Sequence, residues 1–289
     1  MWSPQAQFAG YYVAYEKGIY AKYGLDVVIL EDGPDTSPLG LLKDGKADFC
    51  VTWLSSALQE RDDGVRLVNI AQIVQRSALM LVTRKSSGIQ KPEDLNYKKV
   101  SLWEGDLRIQ AMAFFKKYNL DVNIIPQSYT VNLFLAGGTD AASATWYNEY
   151  HTILNSGINE DELTVFFFDQ HGLNFPEDGI YVLEETYAQD PQAGASFVKA
   201  SLEGWQYAFD HQDEAVGIVL KYMKKANLSA NRVHQKWMLQ RMRDIIMPGK
   251  GGEIGALNKT DYENTARELK QGGLIKEIPD FNLFYKAQK

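Results

Sequence analysis

One run of residue types occurs twice in this chain at nearly the same spacing. Tyr23-Gly24-Leu25-Asp26-Val27-Val28-Ile29 matches Tyr118-Asn119-Leu120-Asp121-Val122-Asn123-Ile124, 95 residues later. Downstream, Gly45-Lys46-Ala47-Asp48 followed by Thr52-Trp53 matches Gly137-Gly138-Thr139-Asp140 followed by Thr145-Trp146, with Asp140 lying 92 residues after Asp48. Each unit reads as helix, turn, strand, helix, Gly-x-x-Asp, strand, Trp. Length alone leaves one large domain or two smaller ones open for 289 residues. An α/β unit used twice favours two lobes of one design. Trp53 and Trp146 both fall at the carboxyl end of a strand, the edge where open α/β sheets bind ligands. Two such edges facing each other make a cleft at the domain interface.

Hydrophobic periodicity fills in the rest. It predicts a helix over 7–23, interrupted near Gly18, a strand over Leu25–Leu30, and a short helix over Pro38–Lys43. Strands are predicted at 47–52, 65–74, 79–84, 100–103, 122–125, 141–145 and 163–168, with helices at 55–61, 107–118 and 147–154. From Glu184 helices dominate, at 192–210, 213–225, 229–246 and 260–271. Strands interleaved with helices imply an α/β protein with sheets packed between helices.

Composition removes several classes of function. Lys and Arg number 30 against 37 Asp and Glu, a net charge of −7, which argues against a generic phosphate-backbone binder and hence against nucleic acid as partner. The single cysteine, Cys50, excludes an intrachain disulfide and any multi-cysteine metal cage. It sits in the apolar run Phe49-Cys50-Val51 and reads as a buried, inert thiol. The sequence contains no apolar stretch long enough to span a membrane. It has no G-x-S-x-G, P-loop or H-E-x-x-H, and its four His (151, 171, 211, 234) show no ligand spacing, so no metal and no cofactor are expected.

The opening Trp2-Ser3-Pro4-Gln5-Ala6-Gln7-Phe8-Ala9-Gly10-Tyr11-Tyr12-Val13-Ala14 carries a family resemblance. Lys17-Gly18-Ile19-Tyr20, Gly24-Leu25-Asp26-Val27, Gly45-Lys46-Ala47-Asp48-Phe49 and Tyr147-Asn148-Glu149-Tyr150 continue it. The chain resembles the substrate-binding proteins of ABC importers related to the thiamine-pyrimidine-precursor binders, with riboflavin binders and, more distantly, alkylsulfonate binders. The resemblance runs from Trp2 to about Tyr222. It implies a two-lobe periplasmic-binding-protein (type II) fold with two mixed sheets, flanking helices and a central cleft. Residues 1–83 and 180–289 would form lobe one, with the C-terminal helices packed on it, and 84–179 lobe two. The crossings would lie near Leu81-Arg84 and Gly179-Val182. It also implies an apolar strand directly before Trp2, and an export signal before that; neither is in the sequence. A trimmed chain or a start placed too late is the expectation, with the first sheet then one inner strand short. The implied protein is a monomeric, extracytoplasmic receptor that delivers a small-molecule ligand to an ABC permease and is not an enzyme.

In chain order, the candidate ligand residues begin at the first long helix. Trp2, Gln7 and Tyr11 surround its first turn, where free N–H groups and the helix dipole favour a polar or anionic group. Trp2 and Gln7 are assigned to the cleft, and Phe8 and Tyr12, which continue the apolar face, to the core. Asp35, Thr36 or Ser37 caps the next helix, faces the ligand, or does both. Trp53 and Trp103 are stacking platforms for a flat ring or packing at a sheet edge. Glu104 and Asp106 can accept bonds from ring amino groups, Asp106 equally serving as a helix cap. In Trp146-Tyr147-Asn148-Glu149-Tyr150-His151, an amide and a carboxylate can pair with the donor and acceptor edge of an aminopyrimidine while the rings stack. Tyr147, Asn148 and Glu149 are the candidates there, with His151 behind them. Asp178 precedes the return crossing, where Gly179 suits a hinge with unusual backbone angles.

Three functions remain. A receptor for a small flat heterocycle comes first, with ligands ranked thiamine pyrimidine precursor, riboflavin, aliphatic sulfonate; Arg76 and Arg108 could serve an anion. The second is the pyrimidine-synthesising enzyme relative, whose cysteine-rich metal motif this chain cannot supply. The third, a sensory ectodomain, ranks lowest.

Overall fold

The computed structural model describes residues 1, 3–30, 37–247 and 253–288. After a single turn at Ala6–Phe8 come helices α1 (Ala9–Glu16), α2 (Ile19–Lys22) and α3 (Pro38–Lys43), strand β1 (Cys50–Trp53), helix α4 (Leu54–Asp62), and strands β2 (Leu67–Gln72) and β3 (Leu79–Arg84). Next are β4 (Lys99–Leu102), α5 (Ile109–Lys117), β5 (Asn123–Pro126), α6 (Asn132–Leu135), β6 (Ala141–Thr145), α7 (Glu149–Asn155), β7 (Leu163–Phe167) and β8 (Asp178–Leu183). The remainder is helical: α8 (Glu184–Gln189), α9 (Pro191–Asp210), α10 (Gln212–Lys225), α11 (Arg232–Ile246), α12 (Lys259–Gln271) and α13 (Phe281–Phe284). The helix starts are written locally. Ser37 accepts from the Gly40 N–H ahead of Pro38, Asp190 from Ala193 ahead of Pro191, and Asn231 and Asn258 cap α11 and α12.

The strands form two sheets. In the first, ordered β1-β8-β2, β8 runs antiparallel to both neighbours. In the second, ordered β5-β4-β6-β3-β7, the parallel run β5-β4-β6 continues into antiparallel β6-β3-β7. The chain crosses between Gln72 and Leu79 and returns between Phe167 and Asp178. Leu79–Arg84, placed ahead of the expected boundary at residue 83, is an interior strand of the second sheet. Its unbroken apolar run Leu79-Met80-Leu81-Val82 is buried on both faces, as an interior strand requires.

The repeated sequence words have the same geometry. Gly24 and Asn119 both take left-handed φ, +79° and +51°, and the next N–H closes the turn in each case, Leu25 to Tyr20 and Leu120 to Phe115. Gly45 and Gly137 do likewise at +66° and +75°. Beyond the turn the two copies diverge. Val122 leads into β5, but Leu25–Leu30 joins no sheet among the described residues. It keeps the alternation of a strand: Leu25, Val27 and Ile29 are half-buried, while Val28 is 73% exposed. A cavity of about 550 Å³ lies between this segment and β1, lined among others by Met1, Ile29, Phe49, Val51 and Phe197. In the second sheet the corresponding place, between β5 and β6, is filled by β4.

Helices α1 and α9 lie against each other unusually closely. A Cβ on Gly10 would fall within the Trp205 ring, and one on Gly204 would meet the Gly10 carbonyl and Ala14. No helix among the described residues is long and apolar enough to cross a membrane.

Candidate functional site

The two sheets exchange aromatic side chains where they meet. Trp53, at the end of β1, packs against the apolar cluster of the second sheet. Tyr147, after β6, is buried within the cluster of the first. Between them lie two adjacent carboxyls, Glu177 and Asp178, both buried. Trp53 and Asp178 are register partners across β1 and β8, and Leu54 N–H donates to the Glu177 carbonyl at 3.1 Å.

Gln7 joins this group from the first turn of the chain. Its Nε2 donates to Asp178 Oδ2 at 2.6 Å, while Gln5 Nε2 donates to Gln7 Oε1 at 2.6 Å. The turn is anchored from α11, where Gln235 Oε1 accepts from the Ala6 N–H at 2.7 Å. Burial pushes the Asp178 carboxyl up to about 6, with the Gln7 bond acting against it.

Glu177 ties the two crossings together. Its Oε1 accepts from the Ala78 N–H at 2.6 Å and from Ser77 Oγ at 3.3 Å, and Ser77 also donates to Gln110 of α5. The Tyr147 hydroxyl stands close enough to act on the same carboxyl, yet no well-formed bond reaches Oε2. Burial raises Glu177 to about 8, only partly offset by the Ala78 N–H, so this side chain is largely protonated at neutral pH. Neither carboxyl has a Lys or Arg side-chain partner among the described residues.

The sequence candidates therefore separate. Gln7, Trp53, Tyr147 and Asp178 are brought together. Trp2, Asp35 and Thr36 lie outside the described residues. Trp103 is buried in the second cluster and donates Nε1–H to the Ser128 carbonyl, while Glu104 is exposed. Asn148 and Glu149 are occupied locally. Glu149 Oε2 accepts from the Thr145 N–H and hydroxyl at 2.9 and 2.7 Å, and Asn148 Nδ2 donates to Glu149 Oε1. The Asn148 amide oxygen is 2.9 Å from His234 Nε2. Trp146 is covered by the Arg76 and Arg241 guanidiniums, 5.8 and 4.6 Å from its ring centre. Gly179 has no left-handed φ; glycine is required there because a Cβ would collide with Asn69, Gln72 and Tyr181. Glu177 is absent from the sequence candidates, although an acidic pair ahead of an apolar strand is visible in Pro176-Glu177-Asp178-Gly179.

Comparison with known proteins agrees with this architecture. The family described as NMT1/THI5 like matches residues 5–215. A formylaminopyrimidine-binding protein of Halalkalibacterium halodurans is 23% identical over 234 residues, covering 78% of this chain and 70% of its own length. A Haemophilus influenzae protein named for thiamine biosynthesis is 24% identical over 280 residues, 95% of this chain and 86% of its own. Among solved structures, the periplasmic aliphatic sulphonate binding protein SsuA of Escherichia coli superposes with a TM-score of 0.76 at 14% identity, covering 99% of this chain and 91% of that one. The desulfurization enzyme DSZB does so with a TM-score of 0.64 at 12% identity, covering 99% and 94%. The fold is that of the periplasmic binding proteins, and it accommodates both binders and an enzyme.

Proposed function

The chain belongs to the NMT1/THI5-like family, and from that premise we propose that it captures a small flat heteroaromatic molecule between its lobes and passes it to an ABC permease. A thiamine pyrimidine precursor is the favoured ligand, ahead of riboflavin and of an aliphatic sulfonate. The observation that carries this choice is the charge of the site. Two buried carboxyls, one of them protonated at neutral pH, converge with an amide and two aromatic rings and have no Lys or Arg side-chain partner among the described residues. Such a site holds a ring nitrogen and its amino group through donor–acceptor pairs. A sulfonate would meet like charge with no Lys or Arg side chain among the described residues paired to these carboxyls to neutralise it. The halodurans relative, named for a formylaminopyrimidine, is named for a ligand of this class.

Gln7, Trp53, Tyr147 and Asp178 are the proposed ligand-facing residues, with Trp103 and Glu104 at the far wall and Asn148 and Glu149 shaping the start of α7. Trp2, Asp35 and Thr36 complete the proposed set. We read the protein as a monomeric, extracytoplasmic binder and not as an enzyme. Cys50 supports this, because burial pushes its thiol up to about 12 and leaves no thiolate for catalysis. The proposed lobe division follows sheet membership.

Thermal melting against a ligand panel tests the reading. A hundredfold excess of an aminopyrimidine over its Kd should stabilise the protein by about 2.7 kcal/mol, or roughly 4–5 °C for a chain of this size. Stabilisation by an alkanesulfonate but not by any pyrimidine would overturn it. Ligand released from purified protein and weighed would then name the class directly.

A further inference from the structure

A second polar cluster bridges the lobes away from the carboxyls. Helix α7 follows β6 of the second sheet; helix α11 packs on α9, α10 and the Ala6–Phe8 turn of the first. Where they meet, His151 Nδ1 and His234 Nδ1 stand 2.8 Å apart. The His151 ring also stacks on Trp237 of α11, 4.8 Å between centres, and Trp237 Nε1–H donates to the Trp146 carbonyl at 3.0 Å. We propose that this imidazole pair is a proton-sensitive latch between the lobes, closed when the pair is neutral and released when both rings are protonated.

The Asn148 contact sets which ring donates in the neutral pair. Asn148 gives its amide N–H to Glu149, so its oxygen faces His234 Nε2, which must therefore carry a proton. Neutral His234 then offers a bare Nδ1, and His151 Nδ1–H donates to it. Asn155 Nδ2, a donor, stands 3.1 Å from the same His151 nitrogen and finds an acceptor there only once that nitrogen has given up its proton. A first added proton occupies the accepting lone pair, and the bond survives only if His151 gives up its own Nδ1 proton. A second leaves two N–H groups opposed across 2.8 Å, with no acceptor between them.

The charged surroundings do not offset this. On α7 the nearest charge is Glu149, already held by Thr145 and Asn148. On α11, Arg241 lies over Trp146 and Trp237 and pairs with Asp244, while Lys236 is held by Asp213 of α10. No carboxylate is ion-paired to either ring among the described residues. Burial lowers both imidazoles, His234 to about 4 with the His151 ring adding to the effect. Lobe separation returns each ring toward its ordinary value, so the open state takes up protons below about pH 6.5, and acid favours opening.

The latch does not depend on which ligand binds. Small-angle scattering and tryptophan fluorescence on the full chain, unliganded, between about pH 7.5 and 5.0, test it. The wild type should expand and its emission shift to the red as the closed population falls on the order of tenfold. His151→Gln/His234→Gln should not expand, because paired amides do not titrate, and its emission should keep only the change that Asp178, beside Trp53, makes in both proteins. An equal acid response in wild type and double variant would overturn the proposal, as would a wild type with no response. If the double variant does not fold, imidazole titration by NMR in the wild type decides instead. Two rings titrating well below about 6.5 support the latch, and two ordinary values refute it.

Discussion

Gln7 and Asp178 meet across 171 residues of sequence that include every strand of the second sheet, and their bond separates the two roles of the site. Removing the donor with Gln7→Ala leaves a buried carboxyl without its partner and should cost about 1–3 kcal/mol of stability, read as a lower melting temperature. Asp178→Asn acts differently. The amide can still pair with Gln7, and burial no longer penalises a charge, so stability should hold or rise while ligand affinity falls at least about tenfold, as expected for a bond to a charged group. Calorimetry on both variants distinguishes these outcomes; an Asp178→Asn protein with unchanged affinity would remove Asp178 from the site. Residue type and position make Gln7, Trp53, Tyr147 and Asp178 legible in the sequence, because each stands at a strand end or a helix start. Glu177 and His234 are not legible there. Their importance comes from partners about a hundred residues away, Ala78 and Asn148, which no local pattern encodes.

Among the elements, the sequence speaks clearly wherever two local rules agree. The α9 helix carries Asp190 and Pro191 at its start and an apolar stripe along its length, and its predicted span of 192–210 lies within a residue of the observed ends. Leu25–Leu30 has the pattern of a strand but not a strand's neighbour: alternation decides which face is buried, whereas pairing requires a partner at the edge. The helix pair α1 and α9 shows the same dependence on a distant surface. Gly10 and Gly204 look like weak positions in their own helices, yet each makes room for the other element. Gly204→Ala, favourable by helix propensity alone, should therefore destabilise by about 1–3 kcal/mol through overpacking. Chemical denaturation would detect the sign, and a stabilised variant would mean that the two helices can move apart without cost.

For the molecule as a whole, the junction of the two lobes sets the response to pH. Glu177 binds both crossings and has its carboxyl raised from the usual range to about 8. A carboxyl raised in the folded state favours the fold while it is protonated, and that advantage is lost as pH rises through its folded value. Between its ordinary value and about 8, stability should fall by about 1.4 kcal/mol for each pH unit, once the unfolded chain is ionised and the folded one is not. The imidazole pair works in the opposite direction, below about pH 6.5. The stability maximum should accordingly lie on the acid side of neutrality, with a loss on the order of 2 kcal/mol between about pH 6.5 and 8. Glu177→Gln keeps an amide oxygen for the Ala78 N–H but cannot ionise, so its melting temperature should stay level across that interval while the wild type declines. A parallel decline in both would assign the pH dependence to other groups and leave Glu177 as a neutral structural tie.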